Sequence, residues 1–84
     1  MMRAFQQEAF IMITYEPFWE TLNQRDMSTY DLIYKEGLSA NTIHRMKHNR
    51  PITTKTLNEL CFILKCSVQD ILTYTEDDSI QGAN

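Results

Sequence analysis

The chain lacks any long apolar run and contains little glycine, cysteine or tryptophan. Its 84 residues include two glycines, two cysteines and one tryptophan. No apolar stretch approaches the roughly 20 residues that a membrane-spanning helix needs, and the N-terminus has neither the apolar centre nor the cleavage site of a signal peptide. We therefore expect a cytoplasmic protein with no membrane partner.

The sequence also lacks the parts of a familiar active site. It has no glycine-rich phosphate loop, no serine or cysteine nucleophile at a recognisable spacing from a base, and no carboxylate cluster in an apolar setting. A chain this short buries roughly 60 to 65% of its unfolded surface, too little for a deep catalytic pocket with its supporting residues. We expect no enzyme activity, no cofactor and no small-molecule substrate.

Cysteine and histidine are too sparse to indicate a metal site. Cys61 and Cys66 lie close together on one predicted helix and its exit, so they suggest neither a disulfide nor a zinc finger. His44 and His48 have the i, i+4 spacing of zinc sites, but they suit a helix that faces phosphates equally well. We expect no bound metal.

Acidic residues are absent from the middle of the chain. Residues 37–58 have a local charge of +4, whereas the whole chain has a net charge of −3; the bases are Arg45, Lys47, Arg50 and Lys55. A solvated protein face normally intersperses charges of both signs. Segregated positive charge on an acidic body favours local contact with nucleic-acid phosphates.

Residues 28–50 predict two short helices joined by a turn. Ser28 and Asp31 have the spacing of a capping box at the start of the first helix. Gly37, which can adopt positive φ without steric cost, ends that helix. Ser39 is the predicted N-cap of the second helix, of which Ile43 and Met46 form a thin apolar seam. The other side chains of the second helix are polar, which suits a helix that lies in the major groove of DNA. The alternative is an ordinary pair of helices with a solvated face.

The flanking segments predict three further helices. The first runs from Pro17 to about Gln24 after an extended stretch at residues 13–15, with Phe18 and Leu22 facing inward. Another spans residues 54–64, with Thr53 as its N-cap. Its start is a candidate phosphate site formed by Arg50, Thr53, Thr54 and Lys55.

A last short helix is predicted over residues 67–74, capped by Ser67 and Asp70 and ending at Tyr74, which closes the core edge. Residues 1–12 form an N-terminal extension that is either helical and packed or frayed. Residues 75–84 form an acidic, flexible tail.

Three motifs carry a resemblance to a known family. They are the spacing TYDLI-x3-GLS-x3-I-x2-M over residues 29–46, the segment ITTKTLNELCFIL and the closing CSVQDIL. In these motifs residues 13–74 resemble the lambda-repressor-like, Cro/CI-type helix-turn-helix family, also called XRE, in a small single-domain branch. The resemblance implies a compact all-α domain of five helices with the helix-turn-helix at helices 2 and 3. Ile33 departs from it, because the family prefers a small residue there.

The resemblance also implies a function and its residues. We expect a transcriptional regulator, a repressor, that binds double-stranded DNA as a homodimer. Its base-contacting residues are then Ala40, Asn41, His44 and Arg45. A second set of residues is expected near phosphates. It comprises Thr29, Ser39, Thr42, Lys47, His48, Asn49, Arg50, Thr53, Thr54 and Lys55. The rival interpretation is a protein-interaction module, such as an antitoxin-like accessory subunit, that retains the fold.

Overall fold

The structure, a computed structural model, describes residues 13–75 and is mostly helical. Its elements in chain order are β1 (Ile13–Thr14), α1 (Glu16–Gln24), α2 (Thr29–Tyr34), α3 (Ala40–Lys47), α4 (Thr54–Leu64), a 3-10 helix (Val68–Asp70) and β2 (Thr73–Tyr74). The four α-helices are those that the sequence predicts. The expectations for residues 1–12 and for residues 76–84 of the tail lie outside the described residues.

Side-chain caps begin α2 and α4 as predicted. The Ser28 hydroxyl accepts the backbone N–H of Asp31 at 3.1 Å, and the Asp31 carboxylate accepts the backbone N–H of Ser28 at 3.0 Å. This backbone hydrogen bond from Ser28 is the main reason that the pKa of Asp31 lies below its usual value. The Thr53 hydroxyl accepts the backbone N–H of Thr56 at 3.1 Å. Each cap satisfies a backbone donor that the helix itself leaves unpaired.

The turn between α2 and α3 depends on Gly37. Its φ is +84°, a conformation that residues with a side chain rarely adopt. Directly after it, the backbone N–H of Leu38 donates to the carbonyl of Leu32 at 2.9 Å, and both leucine side chains are buried. The turn therefore connects the two helices and anchors them in the core.

The core receives side chains from each of the four α-helices. Most of its residues come from the predicted inward positions, and its members are Tyr15, Phe18, Leu22, Leu32, Leu38, Ile43, Met46, Leu60, Leu64 and Ile71. Thr21 is the one buried polar residue among the described residues, and its hydroxyl donates to the carbonyl of Asp70 at 2.8 Å. This bond ties α1 to the 3-10 helix without leaving a buried hydroxyl unpaired.

The structure does not confirm the predicted fifth helix over residues 67–74. The chain forms a single 3-10 turn at Val68–Asp70 and then the strand β2, which pairs antiparallel with β1 in the register Ile13 to Tyr74. Ile71 is fully buried, but Tyr74 is 67% exposed and does not close the core. The predicted capping contact is present, since the Asp70 carboxylate accepts the backbone N–H of Ser67 at 3.0 Å. β2 pairs with β1, some 60 residues earlier in the chain, and this pairing ends the helix. A contact at this distance leaves no signal in the local sequence.

Candidate nucleic-acid interface

Helix α3 turns its apolar seam inward and its polar side chains outward. Ile43 and Met46 are buried in the core. The N-cap Ser39 accepts the backbone N–H groups of Asn41 and Thr42 at 3.0 and 3.4 Å, which fixes the first turn. Thr42 is half-buried, and the exposed residues of the helix are Ala40, Asn41, His44, Arg45 and Lys47. All four predicted base-contacting residues therefore lie on the outer surface of one short helix.

A small cleft of about 290 Å³ joins this surface to the start of α4. Asn41, Thr42 and Arg45 line it from α3, and Thr53 and Thr56 line it from the other side. Two predicted base-contacting residues, Asn41 and Arg45, thus share a cleft with two predicted phosphate-contacting residues, Thr42 and Thr53. Thr56 also lines the cleft, although it is not among the predicted contact residues.

Arg45 is oriented by the loop that follows its own helix. Its Nε–H donates to the backbone carbonyl of Pro51 at 3.3 Å, and the residue is exposed. The bond uses one edge of the guanidinium group and leaves the two terminal nitrogens to meet a ligand. An arginine held in this way loses less side-chain entropy when it binds a planar acceptor pair.

Tyr15 holds the α3–α4 loop from the other end of the chain. Its hydroxyl donates to the carbonyl of Arg50 at 2.7 Å, and its backbone N–H donates to the Asn49 side-chain oxygen at 3.2 Å. Asn49 has a φ of +55°, so the chain turns sharply where α3 ends. Sequence reasoning missed this role, because partners 34 and 35 residues apart leave no local signal.

The Tyr15 hydroxyl remains a hydrogen-bond donor at neutral pH. Only 3% of the residue is exposed. This burial raises the pKa of Tyr15 above its ordinary value, while a backbone hydrogen bond with Ile52 and the charge of Arg45 offset part of the rise. A neutral phenol can donate to the Arg50 carbonyl, whereas a phenolate cannot.

The remaining predicted phosphate contacts lie at several separate places on the fold. Thr53, Thr54 and Lys55 lie at the first turn of α4, where Lys55 forms an exposed ion pair with Glu59 at 3.0 Å. Lys47 instead borders a different cleft, together with Glu16. Arg50 lies in the α3–α4 loop, and His48 is the C-cap of α3, with its ring 4.7 Å from that of His44. Thr29, half-buried, is the first residue of α2.

The charge of this surface is largely uncompensated. Among residues 13–75 the ion pairs are Lys35 with Asp31 and Lys55 with Glu59, so Arg45, Lys47 and Arg50 have no acidic partner there. In the same residues no three histidine, cysteine or acidic side chains converge as a metal site would require. No helix within this part of the chain is long and apolar enough to cross a membrane.

Comparison with known proteins identifies the family. The Cro/C1-type HTH DNA-binding domain matches residues 18–77, which is most of the chain. The chain belongs to this family. It is also similar to the crystal structure of the transcriptional regulator VanUg, with a TM-score of 0.71 and 26% sequence identity over 79% of this chain and 88% of that one. No curated protein matches the sequence. The family that the sequence motifs indicate is therefore confirmed.

Proposed function

We propose that this Cro/C1-type domain is a transcriptional regulator that binds double-stranded DNA sequence-specifically, with α3 in the major groove. The observation that carries the proposal is the outer surface of α3. It is exposed, free of acidic residues and capped at its start, and it is followed in the loop by Arg50, which has no ion pair among residues 13–75. The similarity to VanUg, itself a transcriptional regulator, supports a role in regulation.

Base recognition falls to the first two turns of α3. With its Nε bound to Pro51, Arg45 presents its terminal nitrogens to a guanine edge, and Asn41 suits the paired donor and acceptor of adenine. Ala40 has no hydrogen-bonding group, so its contact is with a thymine methyl group. His44 is the fourth base-facing residue. These side chains supply the sequence preference.

The phosphates are bound on both sides of these base contacts. Ser39 and Thr42 lie at the start of α3, Thr29 at the start of α2, and Lys47 and His48 at the end of α3. The loop and the start of α4 add Asn49, Arg50, Thr53, Thr54 and Lys55. Such contacts position a protein on the duplex without reading its sequence.

A single α3 reads only a few base pairs, so we propose that two copies bind as a homodimer. Two such helices then occupy half-sites about 34 Å apart, one turn of the duplex, on a pseudo-palindromic site. A dimer seated over a promoter would exclude other proteins from it, and we accordingly propose repression.

Selection of bound duplexes from a random pool, followed by salt titration of the best site, tests the proposal. We expect a logarithmic affinity that falls linearly with the logarithm of salt concentration. Arg50→Ala should reduce this slope by about 1 and weaken all sequences alike. Lys35→Ala is the matched control, because it removes an exposed cation that is paired with Asp31 outside this surface.

The same titration separates the rival function. A domain that binds only another protein need not show counterion release on duplex DNA. Failure to recover an enriched sequence, together with salt-independent retention of DNA, would refute the proposal.

A further inference from the structure

The two cysteines of the chain come together where α4 ends. On a straight α-helix each residue turns by about 100°, so side chains five positions apart point in different directions. Helix α4 instead ends at Leu64, and Lys65 adopts the left-handed conformation with a φ of +54°. The backbone N–H of Cys66 then donates to the carbonyl of Cys61 at 3.1 Å. The chain therefore folds back on itself, which the spacing along the sequence does not reveal.

This hydrogen bond places the two residues within the span of a disulfide. With standard backbone dimensions it holds their Cα atoms within about 7 Å of each other, the largest separation that a disulfide bridges without backbone movement. A bond across six residues at a left-handed turn is the Schellman way of ending a helix, and side-chain contact between the same two positions frequently accompanies it. In this chain both positions are cysteine, Cys61 and Cys66.

Both thiols are accessible and interact with each other. They are free and half-buried, and both line one cleft of about 530 Å³ between α4 and the 3-10 helix. Burial is the main reason that the pKa of Cys66 lies above its ordinary value, and the Cys61 thiol, which hydrogen-bonds with it, raises the pKa further. The two sulfur groups therefore lie next to each other at a surface that small molecules can reach.

Helix α1 holds this turn in place. Arg25 donates its Nε–H to the carbonyl of Leu64 at 2.8 Å and a terminal N–H to the carbonyl of Lys65 at 3.2 Å. These bonds satisfy carbonyl groups that the end of α4 leaves unpaired. Because the turn is held by both local and distant contacts, each thiol meets the other at a high effective concentration.

From the turn, the cleft and the paired thiols, we propose that Cys61 and Cys66 form a dithiol site that a low-molecular-weight disulfide, such as oxidised glutathione, converts reversibly to an intramolecular disulfide. The site lies apart from the outer surface of α3 and adds redox sensitivity to the domain. Disulfides inside cells are usually transient and redox-sensing, which suits a site that opens to the surface.

The reaction is a double thiol–disulfide exchange. One protein thiolate attacks the small disulfide, breaks its S–S bond and releases the first small thiol, which leaves a mixed disulfide on the protein. The second protein thiolate attacks the sulfur of the first cysteine, forms the Cys61–Cys66 bond and releases the second small thiol. One S–S bond breaks and one forms, and the two protons of the protein thiols pass to the two released thiols.

Equilibration of the full chain in mixtures of reduced and oxidised glutathione, followed by acid quenching and mass spectrometry, tests the proposal. We expect the main oxidised product to be a monomer that has lost two hydrogen atoms, with glutathione adducts as minor species. The matched control is the same protein unfolded in urea. The equilibrium constant for disulfide formation should be at least about tenfold larger in the folded protein, because the folded turn holds the thiols together.

Three variants sharpen the measurement. Cys61→Ser and Cys66→Ser each keep one thiol, so oxidation should stop at the glutathione adduct. Lys65→Gly permits the same left-handed turn without a steric cost and should keep the ratio of folded to unfolded constants within about threefold of that of the unaltered protein. Circular dichroism should show all three folded.

Three results would overturn the inference. They are equal constants in the folded and unfolded protein, glutathione adducts as the main product of the folded protein, and disulfides that join two copies as the main product. None of these measurements involves DNA, so their outcome is separate from that of the proposed function.

Discussion

The two ends of α3 are held in different ways. At its start, the contacts join residues two to six positions apart: Ser39 accepts the N–H groups of Asn41 and Thr42, and the N–H of Leu38 donates to the carbonyl of Leu32. At its end, the loop depends on Tyr15, which lies 34 or 35 residues earlier in the chain. The start of the proposed reading helix is thus fixed by local contacts, whereas its end has local contacts, such as the bond from the Arg50 N–H to the Arg45 carbonyl at 2.8 Å, and contacts with a distant part of the chain as well.

The difference separates two parts of the proposed DNA contact. Residues at the start of α3 lie on a turn whose geometry their own sequence determines. Asn49 and Arg50 are joined to α3 by backbone hydrogen bonds and, in addition, to Tyr15, which lies between β1 and α1. Changes at the two ends should therefore affect stability, affinity and sequence preference in different proportions.

The largest expected effect comes from Arg45, which connects the helix to the loop. Arg45→Ala should lose about 1 to 3 kcal/mol of base discrimination at one or two positions of the site, because a bidentate base contact is worth that much. Binding to the selected site and to single-base variants of it measures the loss. Arg50→Ala serves as the comparison, since it should weaken all sequences equally. If Arg45→Ala preserved both affinity and sequence preference, α3 would not be the reading helix.

The next largest effect concerns the locally fixed start of α3. Gly37→Ala should lower the free energy of unfolding by about 1 to 2 kcal/mol, because alanine pays a steric cost at positive φ. A Cβ atom at this position would meet no other atom within 4 Å, so the cost is one of backbone conformation and not of packing. Chemical denaturation measures it. Gly37→Asn is the control and should cost less, because asparagine tolerates this conformation better; equal stability of all three proteins would contradict the argument.

A smaller effect is expected at the remotely held end. Tyr15→Phe removes the hydrogen bond to the Arg50 carbonyl and should cost about 0.5 to 1.5 kcal/mol of stability. It should also weaken DNA binding without changing sequence preference, because it loosens the loop and leaves the α3 residues in place. Tyr30→Phe is the control, since Tyr30 is an exposed tyrosine of α2 outside this contact. An altered preference in Tyr15→Phe would mean that the loop also sets base recognition.

The same contrast explains what the sequence could predict. The capping residues Ser28, Ser39 and Thr53 and the turn at Gly37 each act on neighbours along the chain, so the helices that they delimit were predicted correctly. The segment after Asp70 was predicted as helix from equally good local signals. Its conformation is decided by pairing with Ile13 and Thr14, and the role of Tyr15 depends on the same distant approach. Spacing within a window of a few residues carries no information about such contacts.

The smallest expected effect concerns the two histidines at the end of α3. If His44 and His48 lie near phosphates in the complex, DNA should favour their protonated forms, and affinity should rise as the pH falls from about 8 to 6. Each histidine should contribute a rise of about 1.4- to fivefold, since an exposed charge pair contributes about 0.2 to 1 kcal/mol. Fluorescence anisotropy at constant ionic strength measures it, with the His44→Gln/His48→Gln double variant as the control. A rise that persists in the double variant would place its origin elsewhere, and a flat profile in the unaltered protein would remove both histidines from the phosphate contact.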